Sequence, residues 1–334
     1  MSWRKFEMKK IIIIGATGET GMYITDYFCN INPKEYEIVA VGRRKTNFFS
    51  KYGIRYHSVD IRKSDDFVQL PQDDVYAVIF TAAMMPGRME GYHPMEYLET
   101  NVCGTLNVLE YCRKVNADRI LFTQTIRDLG NKIGKETIKP DACRDFSFTG
   151  DHAMYVISKN AAVDMIEHYY REYGLKRFIF RLPTIYMYTP NSYYYVNGEK
   201  KIMGFRHMIN QAMAGENIEV WGDPSRAHDI VYVKDLAKLF YLACRSDLDG
   251  GMYNVGTGHP VSLQEQIDGM VEIFGSEGKK SKLVYCPEKP NARQYDIDIT
   301  KTIRELGYKS DFSYKEYLED FKLEMQLNRF KDLF

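Results

Sequence analysis

The sequence predicts an α/β fold, a doubly wound parallel sheet with a smaller C-terminal α/β lobe. Three observations lead there. Short β-branched runs alternate with longer helical patterns through the first half of the chain, several of those runs are apolar throughout, and the first run ends in a glycine-rich turn that opens straight into a helix. Alternation of this kind marks βαβ units, and strands covered by helices on both faces show no polar side.

Taken in order, strands are expected at residues 10–14, 37–41, 54–59, 75–80, 119–123 and 177–182, with helical patterns at roughly 20–30, 63–70, 95–114 and 152–173 between them. After Pro183 the alternation stops, and residues 186–198 are rich in Tyr, Asn and Pro, which places a lobe boundary there. A helix over 203–214, a strand at 218–221, a helix from 234 and a strand at 252–255 follow. The first lobe is therefore read as residues 8–183 with 229–257 returning to it, and the second as 184–228 with 258–334. Met8, just ahead of Lys9-Lys10 and the first strand, reads as an internal start that makes residues 1–7 an extension.

Composition narrows the partners. With 45 basic and 45 acidic residues in 334, the chain has no overall field to attract nucleic acid or an anionic membrane, so any anionic ligand must be met locally. The apolar run Ile11–Ile14 is far too short for a membrane span or a secretion signal. Six cysteines without a C-x-x-C pair suit free thiols in a reducing, cytoplasmic compartment, and seven histidines without metal-ligand spacing predict no metal site.

The turn after the first strand reads Gly15-Ala16-Thr17-Gly18-Glu19-Thr20-Gly21. A pyrophosphate needs bare backbone N–H groups at a helix N-terminus, and glycines three apart remove the Cβ atoms that would block it. Thr17 or Thr20 could add a hydroxyl donor. The alternative is a turn that only joins a strand to a helix. Further on, Tyr155 and Lys159 stand four residues apart and hence on one face of the helix expected at 152–173. A nearby ammonium favours phenolate, which would make Tyr155 a usable acid/base at neutral pH. The chain holds 26 tyrosines, so this spacing carries weight only because it follows four βα units and a phosphate loop.

These two motifs resemble the short-chain dehydrogenases, in which the G-x-x-G-x-x-G variant binds NAD or NADP on a Rossmann sheet. The resemblance extends from residue 8 to about 325 through Thr81-Ala82-Ala83, the N-x-x-G-T run Asn101–Thr105, Arg181–Tyr186, Asp229–Asp235 and Tyr253–Gly258, landmarks of the extended branch often labelled NAD-dependent epimerase/dehydratase. It implies catalytic roles for Tyr155, Lys159 and a strand-end hydroxyl, Thr125, with Thr123 in reserve. It implies a cofactor site built from Gly15, Thr17, Gly18, Glu19, Thr20, Gly21, Asp60, Ile61, Thr81, Ala82, Ala83, Asn101, Lys159, Pro183 and Ile185. Gly42-Arg43-Arg44 ends the second strand with no nearby acid, so Arg43 and Arg44 lean towards the 2′-phosphate of NADP, with NAD possible and a solvated basic turn as the alternative.

For the substrate the resemblance implies a nucleotide-activated sugar, held by Met84, Thr184, Tyr186, Arg226, His228 and Arg293, with 4-epimerisation or 4-keto-reduction as the reaction. A 4,6-dehydration ranks lower: the Asp-Glu pair that relatives place after the hydroxyl is Ile126-Arg127 here, and Asp128 is out of register. Thr184 stands where relatives have Asn and His228 where they have Arg, which keeps open a dehydrogenase of a small ketone or alcohol; a non-catalytic cofactor sensor is a third reading. Relatives often dimerise through the helix after Asn101 and the Tyr155 helix, and Leu106, Val108, Leu109, Cys112, Ala161, Ala162, Met165, Ile166 and Tyr169 make those helices apolar enough for a homodimer.

Overall fold

The computed structural model describes residues 8–31, 35–276 and 278–334; the expected extension at residues 1–7 lies outside the described residues. Seven parallel strands form the central sheet: β1 (Lys10–Ile14), β2 (Glu37–Gly42), β3 (Arg55–Ser58), β4 (Val75–Phe80), β5 (Arg119–Thr125), β6 (Lys176–Leu182) and β7 (Gly250–Asn254). Their spatial order is 7-6-5-4-1-2-3. The winding reverses between β1 and β4, and ligands of such sheets sit outside the carboxyl ends of the strands at that point.

The run of four isoleucines in β1 shows why the sheet forms. All are buried, with Ile11 and Ile13 in one core cluster and Ile12 and Ile14 in another, so the strand's period of two feeds both faces at once. One face is covered by α1 (Glu19–Ile31) and a later helix, Val233–Arg245. The other is covered by α2 (Gly104–Lys114) and α3 (Ala153–Tyr173). The helix of α2 actually runs from 94, through a π-helical segment, Leu98–Cys103, that carries Asn101. The helix expected over 63–70 is only a 3₁₀ segment, Ser64–Gln69, because Leu70 must be extended ahead of Pro71.

The second lobe holds α4 (Gly204–Ala214) and α6 (Leu263–Phe274), with α5 (Val233–Arg245) reaching back to the sheet, then α7 (Thr300–Leu306) and α8 (Tyr314–Leu327). Ile218–Trp221 pairs in parallel with Leu283–Cys286, and Tyr193–Val196 forms an antiparallel hairpin with Glu199–Ile202. That hairpin occupies part of the stretch read from sequence as an irregular boundary. Its turn places Asn197 and Gly198 at φ 50° and 80°, the left-handed pair that two-residue hairpin turns require.

Among the described residues the N- and C-terminal parts share one core. Tyr317, Leu318 and Phe321 of α8 share one core cluster with Tyr23 and Phe28 of α1, and the chain end returns to pack Phe330 against Tyr23 at 4.9 Å between ring centroids. No described helix is long and apolar enough to cross a membrane. Of the residues expected to form a dimer face, Val108, Leu109, Cys112, Ala162, Ile166 and Tyr169 are consumed by the core, since α2 and α3 turn their most apolar side to the sheet; Leu106 stays exposed and Ala161 and Met165 half-buried.

Candidate active site

The phosphate loop is built by close approach. Gly15, at φ 100°, would place a Cβ 2.5 Å from Thr81 Oγ1 and 2.7 Å from the Ala82 nitrogen; at Gly21 a Cβ would lie 2.1 Å from the Gly15 oxygen. Those two glycines let β1, α1 and the turn after β4 touch. Gly18 is exposed, leaving an open backbone cradle at the N-terminus of α1. A bare helix N-terminus at the switch point fits the pyrophosphate of a dinucleotide. Thr17 is buried and lies against Gly42, where a Cβ would come within 2.4 Å of its hydroxyl oxygen, so its side chain packs between β1 and β2. Thr20 is half-buried on the first turn of α1. Glu19 pairs with Arg88 and accepts a bond from Thr189, so its carboxylate is neutralised beside the cradle.

At the adenosine end Arg43 is exposed, with Asp60 in its field. Asp60 takes a forked ion pair from Arg62 (2.9 Å from Nε, 2.6 Å from Nη2), which holds its carboxyl below the usual carboxylate range. Ile61 is buried against Gly104. Arg44 departs from its expected role. Its guanidinium donates to the Leu333 carbonyl and lies 5.8 Å from the Phe334 ring, so the returning chain end occupies the group read as a 2′-phosphate ligand.

At the other end of the cleft the structure brings together Tyr155, Lys159 and Thr125. Thr125 ends β5; its hydroxyl accepts the Arg127 N–H at 3.2 Å and acts on the Tyr155 phenol, lowering its pKa. Its backbone is tied to α3 through Gln124, which accepts from the Thr125 N–H and donates to Asn160, each at 2.9 Å. Burial pushes the Tyr155 phenol up to about 12, with Thr125 and Arg127 pulling it back. Lys159 is 2% exposed, its ammonium 3.8 Å from the Phe122 ring centroid, and burial lowers its pKa to about 7.

Asn101 clamps this corner. Its side chain donates to the Met84 carbonyl (3.0 Å) and to Ser158 Oγ (2.9 Å) and accepts the Met84 N–H (2.8 Å), while Ser158 donates to the Tyr155 carbonyl (2.8 Å). The loop Thr81-Ala82-Ala83-Met84 is thereby fixed to the helix of Tyr155 and Lys159, with Thr81 donating to the Ile14 carbonyl at 3.2 Å. Pro183 is buried and Ile185 half-buried just past β6; Ile185 pairs with Val231.

On the substrate side the expected residues divide. His228 is bonded to the Tyr186 hydroxyl at 3.2 Å, packs on Tyr295 at 5.1 Å and is held neutral by burial, so it does not supply a charge for phosphate. Arg226 donates to the Ala292 carbonyl at 2.8 Å, Arg293 is exposed nearby, and Thr184 is exposed. Asp128 is fully enclosed, forked to Arg181 at 3.0 Å through Nε and through Nη2, and is a structural ion of the core rather than an acid of the cleft. Sequence reading missed the groove of ≈ 390 Å³ beside Tyr155, lined by Pro86, Met89, Tyr97, Asp151 and the hairpin turn Asn197-Gly198. The Asn-Gly pair was the signal for that hairpin.

A crossover sheet with a glycine cradle and a Tyr–Lys–hydroxyl corner has the build of an α/β enzyme that works with a dinucleotide cofactor. The chain belongs to the NAD dependent epimerase/dehydratase family, whose model matches residues 11–256. A putative UDP-glucose 4-epimerase of Methanocaldococcus jannaschii is 26% identical over 310 residues, covering 92% of this chain and 95% of the relative. Among solved structures, UDP-glucose 4-epimerase of Thermotoga maritima with UDP-glucose superposes with a TM-score of 0.76 at 21% identity, covering 95% of this chain and 98% of that one. UDP-glucuronic acid 4-epimerase of Bacillus cereus in complex with NAD gives 0.72 at 20%, with 96% and 99% covered.

Proposed function

We propose that this enzyme is a nucleotide-sugar 4-epimerase that uses a tightly held NAD, with Tyr155 as proton acceptor and donor. The observation that carries the reading is the buried Tyr155 phenol, under the influence of Thr125 and one helical turn from Lys159, on a helix that Asn101 ties to the loop beside the glycine cradle. The epimerases among its relatives support the sugar nucleotide. NADP remains the alternative through Arg43, since Arg44 is engaged by the chain end.

When held by the glycine cradle and Lys159, NAD would supply a reversible hydride acceptor for the sugar carbon. Tyr155 would take the proton of the sugar hydroxyl on oxidation and give it back on reduction. Thr125 orients the same oxygen and donates to the developing phenolate. Lys159, almost free of water, lowers the cost of that phenolate and offers donors to the cofactor ribose. The Asn101 clamp keeps Tyr155 and the Thr81–Met84 loop in fixed relation, so oxygen and hydride acceptor do not drift apart.

The experiment is product analysis. Purified protein is incubated with UDP-, GDP- and CDP-hexoses without added cofactor, and sugar composition is read by chromatography; the retained nucleotide is identified by mass spectrometry. Interconversion of C4 epimers that Tyr155→Phe abolishes is the expected result. No conversion, together with no thermal stabilisation by any nucleotide sugar, overturns it. Free Cys103 and Cys143 at the surface support a cytoplasmic protein. A homodimer through the outer face of α2 and α3, around Leu106, is proposed on the same family reading and is measured by light scattering.

A further inference from the structure

Arg127 lies on the short 3₁₀ turn Ile126–Leu129 that follows β5, and its guanidinium stands apart from the hydrogen-bonded network of the site. Among the described residues it makes no hydrogen bond or ion pair, although it is half-buried. The groups whose fields couple to it include Arg293, Tyr295, Asp151, Tyr155 and His152. Asp151 is the one carboxylate among them, and it is taken by His152 and by the Asn197 N–H at 3.3 Å. Arg293, itself without an ion-pair partner among the described residues, adds like charge. A half-buried cation facing another cation is unfavourable unless an anion completes the site. Burial and Arg293 lower the Arg127 pKa, but a guanidinium stays charged at neutral pH.

The register says where that anion lies. Arg127 follows Thr125 by two residues, its N–H capping the Thr125 hydroxyl at 3.2 Å, and the Tyr155 phenol feels its charge. The Arg127 backbone thus joins the Thr125 end of the site and its charge reaches the Tyr155 phenol, whereas in a nucleotide sugar the diphosphate is carried on C1, across the ring from a reacting C4. We infer that Arg127 is a specificity-determining residue that pairs with an acidic group on the ring carbon next to the reacting one, so that the preferred substrate is a nucleotide hexuronate rather than a neutral nucleotide hexose. A planar guanidinium matches a carboxylate in a two-bonded fork, which an ammonium does not. This rests on the nucleotide-sugar reading above and deepens it.

The test is calorimetric titration of the intact, cofactor-retaining protein with UDP, UDP-glucose and UDP-glucuronate, for wild type, Arg127→Gln and Arg127→Lys. Wild type is expected to favour the uronate over the neutral sugar by about tenfold to a hundredfold, the scale of a charge-assisted pair. Arg127→Gln removes that ratio and Arg127→Lys restores part of it. UDP-glucose bound as tightly as UDP-glucuronate by wild type overturns the inference and leaves the nucleotide-sugar reading standing. An equal loss for all three ligands in Arg127→Gln assigns the guanidinium to the diphosphate and also overturns it. Failure of wild type to bind any of the three overturns this inference, and the nucleotide-sugar reading is then decided by the GDP- and CDP-hexoses of the product analysis.

Discussion

Replacing Lys159 by methionine is expected to stabilise the cofactor-free protein while abolishing turnover. The ammonium is 2% exposed, has no carboxylate within ion-pair distance among the described residues, and titrates at about 7 against an ordinary value of 10.5, with burial the cause. A lysine whose folded pKa is depressed costs nothing where the amine is neutral in both states, above pH 10.5. The cost grows as pH falls and levels off below about 7. Each tenfold in proton affinity is worth ~1.4 kcal/mol, so the fold carries roughly 4 kcal/mol at pH 7 and roughly 2 kcal/mol at pH 9. Both figures are ceilings, since water reaching the cleft raises the local dielectric. Methionine keeps the apolar stem over Phe122 and removes the charge. Thermal unfolding of cofactor-stripped wild type and Lys159→Met at the two pH values should therefore show the variant ahead at both, by about 2 kcal/mol more at pH 7, a few degrees in Tm. A variant less stable than wild type at both pH values, or ahead by the same margin at both, would refute the account of Lys159 as a strained, function-bearing charge.

Four further outcomes follow from the geometry. The Tyr155 phenol is raised to about 12 in the ligand-free protein, so deprotonation must be assisted, and kcat/KM should rise with pH to a plateau whose midpoint lies well below that value once cofactor is bound; a pH-independent profile would count against Tyr155 as proton acceptor. Gly21→Ala puts a methyl group 2.1 Å from the Gly15 oxygen and should abolish dinucleotide retention, with a fall in Tm of several degrees; normal cofactor content would show that the loop can shift. Asn101→Ala removes three hydrogen bonds around Met84 and Ser158 and should lower kcat by about tenfold to a hundredfold with nucleotide affinity little changed, since a small misplacement at the reacting atoms is costly. Arg44→Ala should free the chain end and cost about 1 kcal/mol in denaturant unfolding without altering the choice between NAD and NADP, whereas Arg43→Ala, if NADP is accepted at all, should weaken it selectively.

How much of this was legible depends on how far apart the participating residues lie in the chain. The isoleucine run of β1, the glycines at intervals of three and the four-residue spacing of Tyr155 and Lys159 are local patterns, and period, propensity and backbone freedom act over such distances; the sheet and the Tyr–Lys face of α3 follow from them. The 63–70 segment was misread because a proline just beyond it outweighed its helical pattern. The hairpin at 193–202 was overlooked although its Asn-Gly turn is local, since its tyrosines suggested a loop more than alternation. Other features have no local trace. Nothing near Arg44 in the chain shows that Leu333, 289 residues on, takes its guanidinium; nothing near Asp128 shows that Arg181 will bury it; nothing near Arg127 shows that Asp151 and Arg293 will share its surroundings. The amino-acid sequence by itself determined the sheet, the family and the positions of the chemical groups. Tertiary structure alone decided which charges are spent on the fold and which are left facing the cleft, because pairing and desolvation of an ion depend on neighbours that only the packed chain brings within reach.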